Sequence, residues 1–399
     1  MKKVISITLV LLLLMSVCVL NTSALEYNGF KYTEDDGKAV ITGYIGADTD
    51  LVIPATLGGL KVEEINDNAF YQNDSITSVT IENGIEEIGD KAFYNCTALT
   101  KVTIPDSVTE LGDSVFSYCV YLTDVTLGKG VDEISNNCFS HDTRLESIVI
   151  PEGVKEIDDG AFEECTHLSS VSLPLTLEEI GKYAFAYTYN LKSIELPYYL
   201  RVIDEGAFYY NSALTEITLP PTVTSLSHYA FYGNSALATA SLNEGLLTIG
   251  DLAFDGTALK SLYVPSTVVT IGSHPFGYNY SEETFEYSLK PDFEALCIEG
   301  SYGQQFCDGF GIKYSLTSIK ENPPAPAPKP TEPETTAEIE ILKGDVNYDG
   351  RVNEIDITLI QNHLAYLRKL EKYDLQVADF DSSGIVNVKD ITQIQVRIA

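Results

Sequence analysis

The stretch AFYNCTALTKVTIPDSVTELG, Ala92–Gly112, sets a pattern that is repeated along most of the chain. Phenylalanine marks its register, at positions 70, 93, 116, 139, 162, 185, 208, 231 and 254, each 23 residues after the last, and then at 276. Other apolar residues keep fixed distances from the phenylalanine, as Leu99, Val102 and Ile104 do here. A fixed period of this length predicts a solenoid in which each repeat forms one coil.

Each coil contains one segment of the form L-x-x-V-x-I-P, in which apolar and polar residues alternate as in a short strand. The proline ends this strand, because proline cannot donate a hydrogen bond to a β-ladder. A single coil buries too little apolar surface to offset the entropy of ordering its backbone. Stacking shares each apolar face with two neighbours, so the sequence predicts a mainly β solenoid of about ten coils that is stable only as an array.

The recurring A-F-x-x-C/N-x-x-L-x-x-V-x-I-P-x-x-V-x-x-I-G resembles the BspA-like type of leucine-rich repeat. The entry segments Gly43–Tyr44 and Leu51–Ile65 fit that family, as does the exit CIEGSYGQQFCDGFGIKY, Cys297–Tyr314. The resemblance covers about residues 26–318. It implies a stacked β-rich superhelix that is used for binding and has no common catalytic site.

Cysteine recurs in one slot of the repeat, three residues after the phenylalanine. Cys96, Cys119 and Cys165 occupy that slot, and Asn73, Asn211 and Asn234 fill it elsewhere. The alternation indicates small, weakly polar side chains that point inward, and thus buried thiols. Cys96 and Cys119 lie one coil apart and could be bridged; Cys297 and Cys307 in the terminal cap are a second disulfide candidate.

The first 24 residues resemble a targeting segment. Lys2 and Lys3 precede the apolar run Val10–Leu20, and the small residues Thr22–Ala24 follow. This order predicts a cleaved secretory signal and a secreted, extracellular protein without membrane insertion after cleavage; the alternative is a membrane anchor. The formal charge of −33 predicts repulsion of nucleic acid and of anionic lipid.

The stretch PPAPAPKPTEPETT, Pro323–Thr336, separates the repeats from the C-terminus. Its prolines favour an extended, solvated spacer. The chain therefore divides into a signal peptide (1–24), an N-terminal cap (25–68), the leucine-rich repeat solenoid (69–277), a C-terminal cap (278–320), a linker (321–340) and a C-terminal module (341–399).

The C-terminal module carries two acidic loops, DVNYDGRVNEID (Asp345–Asp356) and DFDSSGIVNVKD (Asp379–Asp390). Oxygen side chains stand at loop positions 1, 3, 5, 9 and 12 with glycine at 6, which is the spacing of an EF-hand calcium loop except that Asp replaces Glu at position 12. The predicted ligands of two Ca²⁺ ions are Asp345, Asn347, Asp349, the Arg351 carbonyl, Asn353 and Asp356, and Asp379, Asp381, Ser383, the Ile385 carbonyl, Asn387 and Asp390.

A helical pattern, Ile357–Leu370, follows the first loop, and a shorter one follows the second. Two loop-helix halves 34 residues apart, behind a proline-rich linker, resemble a type I dockerin over residues 343–399. The resemblance implies a small all-α fold that requires calcium and binds a cohesin module on a scaffoldin in a cellulosome. By family spacing the cohesin contacts are Glu354, Ile355, Gln361, Asn362, Val388, Lys389, Gln395 and Val396.

No catalytic constellation is evident. The sequence contains no GxSxG elbow, HExxH helix or phosphate-binding loop, and its five histidines occupy unrelated positions. The abundant acidic pairs leave a glycosidase pair of carboxylates open.

Tyrosine is abundant, with 25 residues, and often follows the marker phenylalanine by one or two positions. Stacked coils would align these tyrosines into a stripe that could receive a sugar or a protein edge. The candidate ligand stripe is Tyr94, Tyr118, Tyr187, Tyr209, Tyr210 and Tyr232. The alternative is that each ring packs on the coil surface and its hydroxyl points to water.

The sequence thus predicts a secreted, non-catalytic component of a cellulosome-type complex, in which the solenoid binds a protein or a carbohydrate and supports polysaccharide degradation. One alternative is an enzyme or accessory factor that acts on plant polysaccharide. The other is a surface adhesin.

Overall fold

Each coil contributes short strands that stack on the equivalent strands of the coils before and after it. A computed structural model describes residues 24–281 and 284–319. In this range the chain forms a β-solenoid of about 12 turns, which confirms the predicted fold class. The turns beyond the predicted ten come from the entry and exit segments, where the 23-residue pattern is absent.

The L-x-x-V-x-I segments form one column of parallel strands, here called column A. Equivalent residues pair one repeat apart, as Lys101 does with Asp124. Column A contains β4 (Asp50–Ile53), β7 (Ser78–Ile81), β9 (Lys101–Thr103), β11 (Asp124–Thr126), β13 (Ser147–Val149), β15 (Ser170–Ser172), β18 (Glu216–Thr218), β20 (Thr239–Ser241), β22 (Ser261–Tyr263), β26 (Glu294–Ile298) and β27 (Tyr314–Thr317). Strand pairing in this column is broken between β11 and β13, between β20 and β22, and between β15 and β18, where residues 191–197 form no strand.

A second column, column B, is formed by the E-I pairs that follow the proline turn. It contains β6 (Leu60–Ile65), β8 (Glu87–Ile88), β10 (Glu110–Leu111), β12 (Glu133–Ile134), β14 (Glu156–Ile157), β16 (Glu179–Ile180), β17 (Val202–Ile203), β19 (Ser225–Leu226), β21 (Thr248–Ile249) and β23 (Thr270–Ile271). From β12 to β23 the strands pair without a break, including through the coil that column A skips.

The two ends of the solenoid are closed by different elements. At the start, β1 (Leu25–Tyr27), β2 (Phe30–Asp35) and β3 (Lys38–Tyr44) form an antiparallel sheet whose last strand pairs with β6, and β5 (Thr56–Leu57) pairs with β6 from the other side. At the far end lie the hairpin β24 (Tyr278–Ser281) and β25 (Glu286–Leu289) and the helix α1 (Tyr302–Phe310). Covering an open sheet edge prevents further strand addition.

A column of stacked phenylalanine rings runs through the interior. From Phe70 to Phe254 neighbouring ring centroids lie 4.7–5.6 Å apart with interplanar angles of 2–11°. Each ring is almost completely buried. The 23-residue phenylalanine period therefore exists because each coil supplies one ring to a continuous core stack.

Candidate functional site

The six tyrosines of the predicted stripe fall into two separate aromatic groups. The first group contains Tyr71, Tyr94, Tyr118 and His141, whose neighbouring rings are stacked except for the tilted pair Tyr94 and Tyr118. The second, here called the tyrosine cluster, contains Tyr183, Tyr187, Tyr189, Tyr209, Tyr210, Tyr229 and Tyr232. Between the groups, the coil of Phe162 carries Glu163 and Glu164 at the tyrosine positions.

Neighbouring rings of the tyrosine cluster alternate between parallel and perpendicular contacts. Tyr187 and Tyr210, one coil apart, stack with centroids 5.8 Å apart and an angle of 17°. Tyr209 and Tyr232 stack in the same way at 5.2 Å and 13°. Tyr187 meets Tyr209 edge to face at 5.5 Å and 81°. These contacts hold the rings in one rigid surface.

The backbone positions that carry this cluster are left-handed in every coil around it. The residue two after the phenylalanine has a positive φ throughout, as in Asn95 (56°), Tyr210 (57°) and Gly233 (74°). The residue two before the phenylalanine does too, as in Tyr183 (54°) and Gly206 (61°). Glycine or asparagine adopts this conformation at lower energetic cost than tyrosine. Four tyrosines of the cluster therefore occupy positions that their backbone preference does not favour: Tyr183, Tyr187, Tyr210 and Tyr229.

Two of the rings lie on the glycines of the next coil. A Cβ atom at Gly206 would lie 2.4 Å from Cε1 of Tyr183, and one at Gly233 would lie 3.0 Å from Cδ1 of Tyr210. These two rings therefore pack on the coil surface, as the alternative to a ligand-binding stripe expects. The surface that remains open consists of ring edges and hydroxyl groups; Tyr189 and Tyr210 are the most exposed.

The tyrosine cluster is partly desolvated and is bordered by acidic side chains. Burial, together with the neighbouring Tyr187 and Tyr210 hydroxyls, raises the pKa of Tyr209 to about 12. The pKa of Tyr187 is also raised, first by burial and then by nearby groups that include Glu163. The Tyr183 hydroxyl lies 3.5 Å from Oε1 of Glu205. At neutral pH the hydroxyls are therefore protonated and can both donate and accept hydrogen bonds.

The first aromatic group ends on an ionisable pair. The rings of Tyr118 and His141 stack at 4.2 Å and 18°. Nδ1 of His141 lies 2.9 Å from Oε2 of Glu164. The carboxylate therefore occupies a polar edge of this stack that a ligand would otherwise reach.

Column B presents a row of glutamates that we had not predicted as a feature. Glu64, Glu87 and Glu110 pair in register on adjacent strands, and Glu133, Glu156 and Glu179 do so after them. Partial burial and then the neighbouring carboxylates raise the pKa values of Glu64, Glu87 and Glu179. Burial, followed by Glu133, raises the pKa of Asp158 to about 6. The E-I pair that recurs every 23 residues was the sequence signal for this row.

The inward slot three residues after the phenylalanine contains buried thiols, as predicted, and one buried acid. The Sγ atoms of Cys96, Cys119 and Cys165 lie 3.1–3.2 Å from phenylalanine carbonyl oxygens, and all three thiols are free. Asp142 holds the same slot between Cys119 and Cys165, is fully buried, and has no hydrogen bond to either carboxylate oxygen within the described part of the chain. Burial raises its pKa well above the ordinary value.

The predicted calcium ligands and cohesin contacts, residues 345–396, lie outside the residues that the structure describes. Within residues 24–281 and 284–319, no group of three or more ligating side chains is arranged to hold a metal ion. In the same ranges no helix is long and apolar enough to cross a membrane.

Solved structures of bacterial leucine-rich repeat proteins resemble this chain. One is a leucine-rich cell surface protein from Faecalibacterium prausnitzii, with 23% identity, coverage of 74% of this chain and 95% of that one, and a TM-score of 0.43. Another is a leucine-rich repeat protein from Bacteroides ovatus, with 20% identity, coverage of 74% and 100%, and a TM-score of 0.41. The comparison with curated proteins gives no match.

Two family models match the chain. The model of the dockerin type I domain matches residues 343–399. The model of the BspA type leucine-rich repeat region matches residues 63–188 and 155–283, which together make up more than half of the 399 residues. The chain therefore belongs to the BspA-type leucine-rich repeat proteins and carries a C-terminal dockerin type I domain.

Proposed function

We propose that this protein is a secreted, non-catalytic component of a cellulosome-type complex, in which the dockerin anchors the chain to a cohesin and the solenoid recognises a ligand. The observation that carries the proposal is the dockerin match at residues 343–399 beside a repeat array of a non-catalytic type. The apolar run and small residues within residues 1–24 support export.

The two acidic loops are proposed to bind calcium. The donor set is suitable, because each loop places three carboxylates and further oxygen atoms at the spacing that Ca²⁺ requires. Asp345, Asp349 and Asp356 would hold one ion, and Asp379, Asp381 and Asp390 the other. Calcium, when bound, neutralises like charges that otherwise repel one another, and so couples folding of the domain to the ion.

The residues proposed to contact cohesin differ between the two halves of the domain. Glu354 and Ile355 in the first half correspond to Val388 and Lys389 in the second. An acidic side chain in one copy thus aligns with an apolar one in the other, and an apolar side chain aligns with a basic one. A cohesin surface complementary to one copy is not complementary to the other, which favours binding in a single orientation.

The test is calcium-dependent binding of the full chain to a panel of type I cohesin modules. We expect binding to at least one cohesin in calcium, loss of binding in excess chelator, and loss in the double variant Asp345→Ala/Asp379→Ala. The matched control is Glu338→Ala/Glu340→Ala, which removes the same charge from the linker and should bind normally. Binding that persists in chelator, or in the loop variant, would contradict the anchoring role.

The solenoid is proposed to be the recognition module, with the tyrosine cluster as its ligand-binding face. The support is the group of seven tyrosines that line one face over three successive coils. Tyrosine supplies a large, rigid contact area at little cost in side-chain entropy, and it is enriched in protein interfaces. The proposal leaves a protein and a carbohydrate as the two classes of ligand.

A further inference from the structure

We infer that the tyrosine cluster is a docking surface for a basic, arginine-bearing segment of a partner protein. The inference rests on the proposed role of the solenoid as the recognition module and specifies the chemistry of its ligand. Two features of the structure support it: the groups that the tyrosines present and the charge around them.

The backbone fixes where two of these rings project. Tyr187 and Tyr210 adopt φ values of 60° and 57° at the position two after the phenylalanine. The same position is left-handed in other coils whatever residue fills it, as at Gln72 (57°) and Glu164 (57°). The repeat therefore determines the direction of these tyrosines, and the case for a ligand rests on what the rings present and on the charge around them.

The groups that the cluster presents are hydroxyls and ring edges. The ring faces largely contact one another, as in the stacks of Tyr187 on Tyr210 and of Tyr209 on Tyr232, or lie on glycines of the next coil. A sugar ring that stacks on an aromatic residue needs an open ring face. The geometry therefore favours a partner that hydrogen-bonds to the hydroxyl oxygens and approaches the more exposed rings of Tyr189 and Tyr210.

The charge around the cluster is negative. Glu163 and Glu164 lie near Tyr187, and Glu205 lies near Tyr183. Asp255, near Tyr232, is buried and has Lys290 and His274 close to it, so it offers no open acceptor. Other basic groups beside the cluster are Lys182, which precedes Tyr183, and His228, whose Nδ1 is 3.2 Å from Oδ2 of Asp251. Hydroxyl and carboxylate oxygens together accept hydrogen bonds from a cation. A guanidinium group satisfies several acceptors at once and also packs on tyrosine, which an ammonium group does less well.

The chain contains one example of this interaction on another tyrosine. The Cζ atom of Arg144 lies 4.3 Å from the ring centroid of Tyr121, an exposed tyrosine outside both aromatic groups. Within the described ranges, no lysine or arginine lies over a ring of the tyrosine cluster in this way. Arginine from a partner would supply the cation that Arg144 supplies to Tyr121.

The test measures binding of the full chain, in calcium and at physiological salt, to labelled polyarginine and polylysine peptides of equal length and to soluble plant polysaccharides. The cluster variant is Tyr187→Asn/Tyr209→Ser/Tyr210→Asn. Its replacements are taken from Asn95 and Ser117, which occupy the same two positions in other coils, so the solenoid should fold. The matched control, Tyr71→Ser/Tyr94→Ser/Tyr118→Asn, removes three tyrosines from the other group and changes no charge.

We expect the cluster variant to weaken polyarginine binding by at least about tenfold. The control should change it by less than about twofold, and polylysine should bind more weakly than polyarginine. Equal losses in both variants, or no loss in either, would place the peptide elsewhere on the acidic surface and overturn the inference.

Polysaccharide binding that the cluster variant abolishes, together with unchanged peptide binding, would also overturn the inference, yet it would leave the solenoid as the recognition module. A failure of the anchoring role would appear separately, as loss of calcium-dependent cohesin binding. Each result therefore identifies which of the two proposals is wrong.

Discussion

The Sγ atoms of Cys297 and Cys307 lie 3.9 Å apart in the C-terminal cap, where β26 packs against α1, and both side chains are fully buried. The hydrogen bond between the two thiols lowers the pKa of Cys297. Because both thiols are shielded from solvent, reaction with an external disulfide requires opening of the cap. Both thiols are free in this structure, and a disulfide would bring the two sulfurs to about 2.05 Å.

We predict that these two cysteines form a disulfide when the full chain is exposed to oxidised glutathione. Exchange with glutathione disulfide gives a mixed disulfide, which the second thiol resolves with release of two glutathione thiols. Closure of this short loop stabilises the cap by up to about 3 kcal/mol in the chain-entropy account. Mass spectrometry of proteolytic fragments checks the linkage. Cys96 and Cys119 are the comparison within the same chain and should remain reduced. A disulfide that joins either of them to Cys297 or Cys307 would contradict the prediction.

Replacement of Asp142 by asparagine should stabilise the protein at neutral pH. The folded state raises the pKa of this carboxyl by burial, so it holds the proton more tightly than the unfolded chain does. The contribution of this carboxyl to the free energy of unfolding is therefore fully present below its ordinary pKa near 4. As pH rises above that value the contribution is lost, by up to about 1.4 kcal/mol per pH unit. The free energy of urea unfolding, measured for wild type and Asp142→Asn from pH 4 to 8, checks this.

Asparagine suits the slot because Asn211 and Asn234 already occupy it in later coils. The two curves should converge near pH 4 and diverge as pH rises. Asp142→Cys, which reproduces the neighbouring thiols, should behave like the asparagine variant. Parallel curves for wild type and variant would show that Asp142 is ionised in the fold.

Removal of one glutamate from column B should also be stabilising. Glu156 pairs in register with Glu133 on one side and Glu179 on the other. Threonine occupies the same position in β21 and β23, so Glu156→Thr should keep the strand. The variant removes repulsion between neighbouring carboxylates, and we expect the free energy of unfolding to rise by roughly 0.5 kcal/mol at neutral pH and low salt. Differential scanning calorimetry measures the change in Tm, with Glu299→Thr as a control of equal charge.

The gain at Glu156 should shrink in high salt, because salt screens exposed charges. It should also shrink at acid pH. Burial raises the folded-state pKa values of Glu133 and Glu179, so as pH falls these neighbours take up protons earlier than in the unfolded chain and the repulsion is lost. An equal gain in the Glu299 control would attribute the effect to net charge instead.

Truncation of one ring in the phenylalanine column should be strongly destabilising. Phe162 is fully buried and stacks on Phe139 at 5.5 Å and on Phe185 at 5.2 Å. We expect Phe162→Ala to cost about 3–5 kcal/mol of unfolding free energy, through lost burial and the cavity that remains. Phe285→Ala is the control, since Phe285 is 78% exposed and its loss should change stability by less than about 0.5 kcal/mol.

The repeating part of the fold could be predicted because each feature occurs in many coils. The phenylalanine register, the strand that ends at proline, and the inward thiols all follow from side chains that recur at one spacing. A slot filled by Cys96 in one coil and Asn211 in another must be inward and tolerant of weak polarity. In a repeat protein, many copies of one segment must all adopt the same local structure. The secondary-structure propensity of any single residue therefore matters little.

The features that were missed depend on residues that depart from the repeat. Asp142 was overlooked because a carboxylate usually indicates solvent, whereas here the column of thiols on either side fixes its burial. The tyrosines were expected to form one stripe, yet Glu163 and Glu164 divide them. The left-handed backbone at Tyr187 could not be predicted, because the same position also holds Gln72, His141 and Glu164, and only Asn95, Gly233 and Gly256 favour that conformation.

The gap in column A at residues 191–197 does not separate the coils on either side of it. Column B pairs through this coil, and the backbone N–H groups of Tyr183, Phe185 and Tyr187 donate to the carbonyl oxygens of Glu205, Ala207 and Tyr209 in the next coil. Two ladders therefore hold the register of the coils while the third is absent. Insertions at this gap should be tolerated without displacing the repeats that follow.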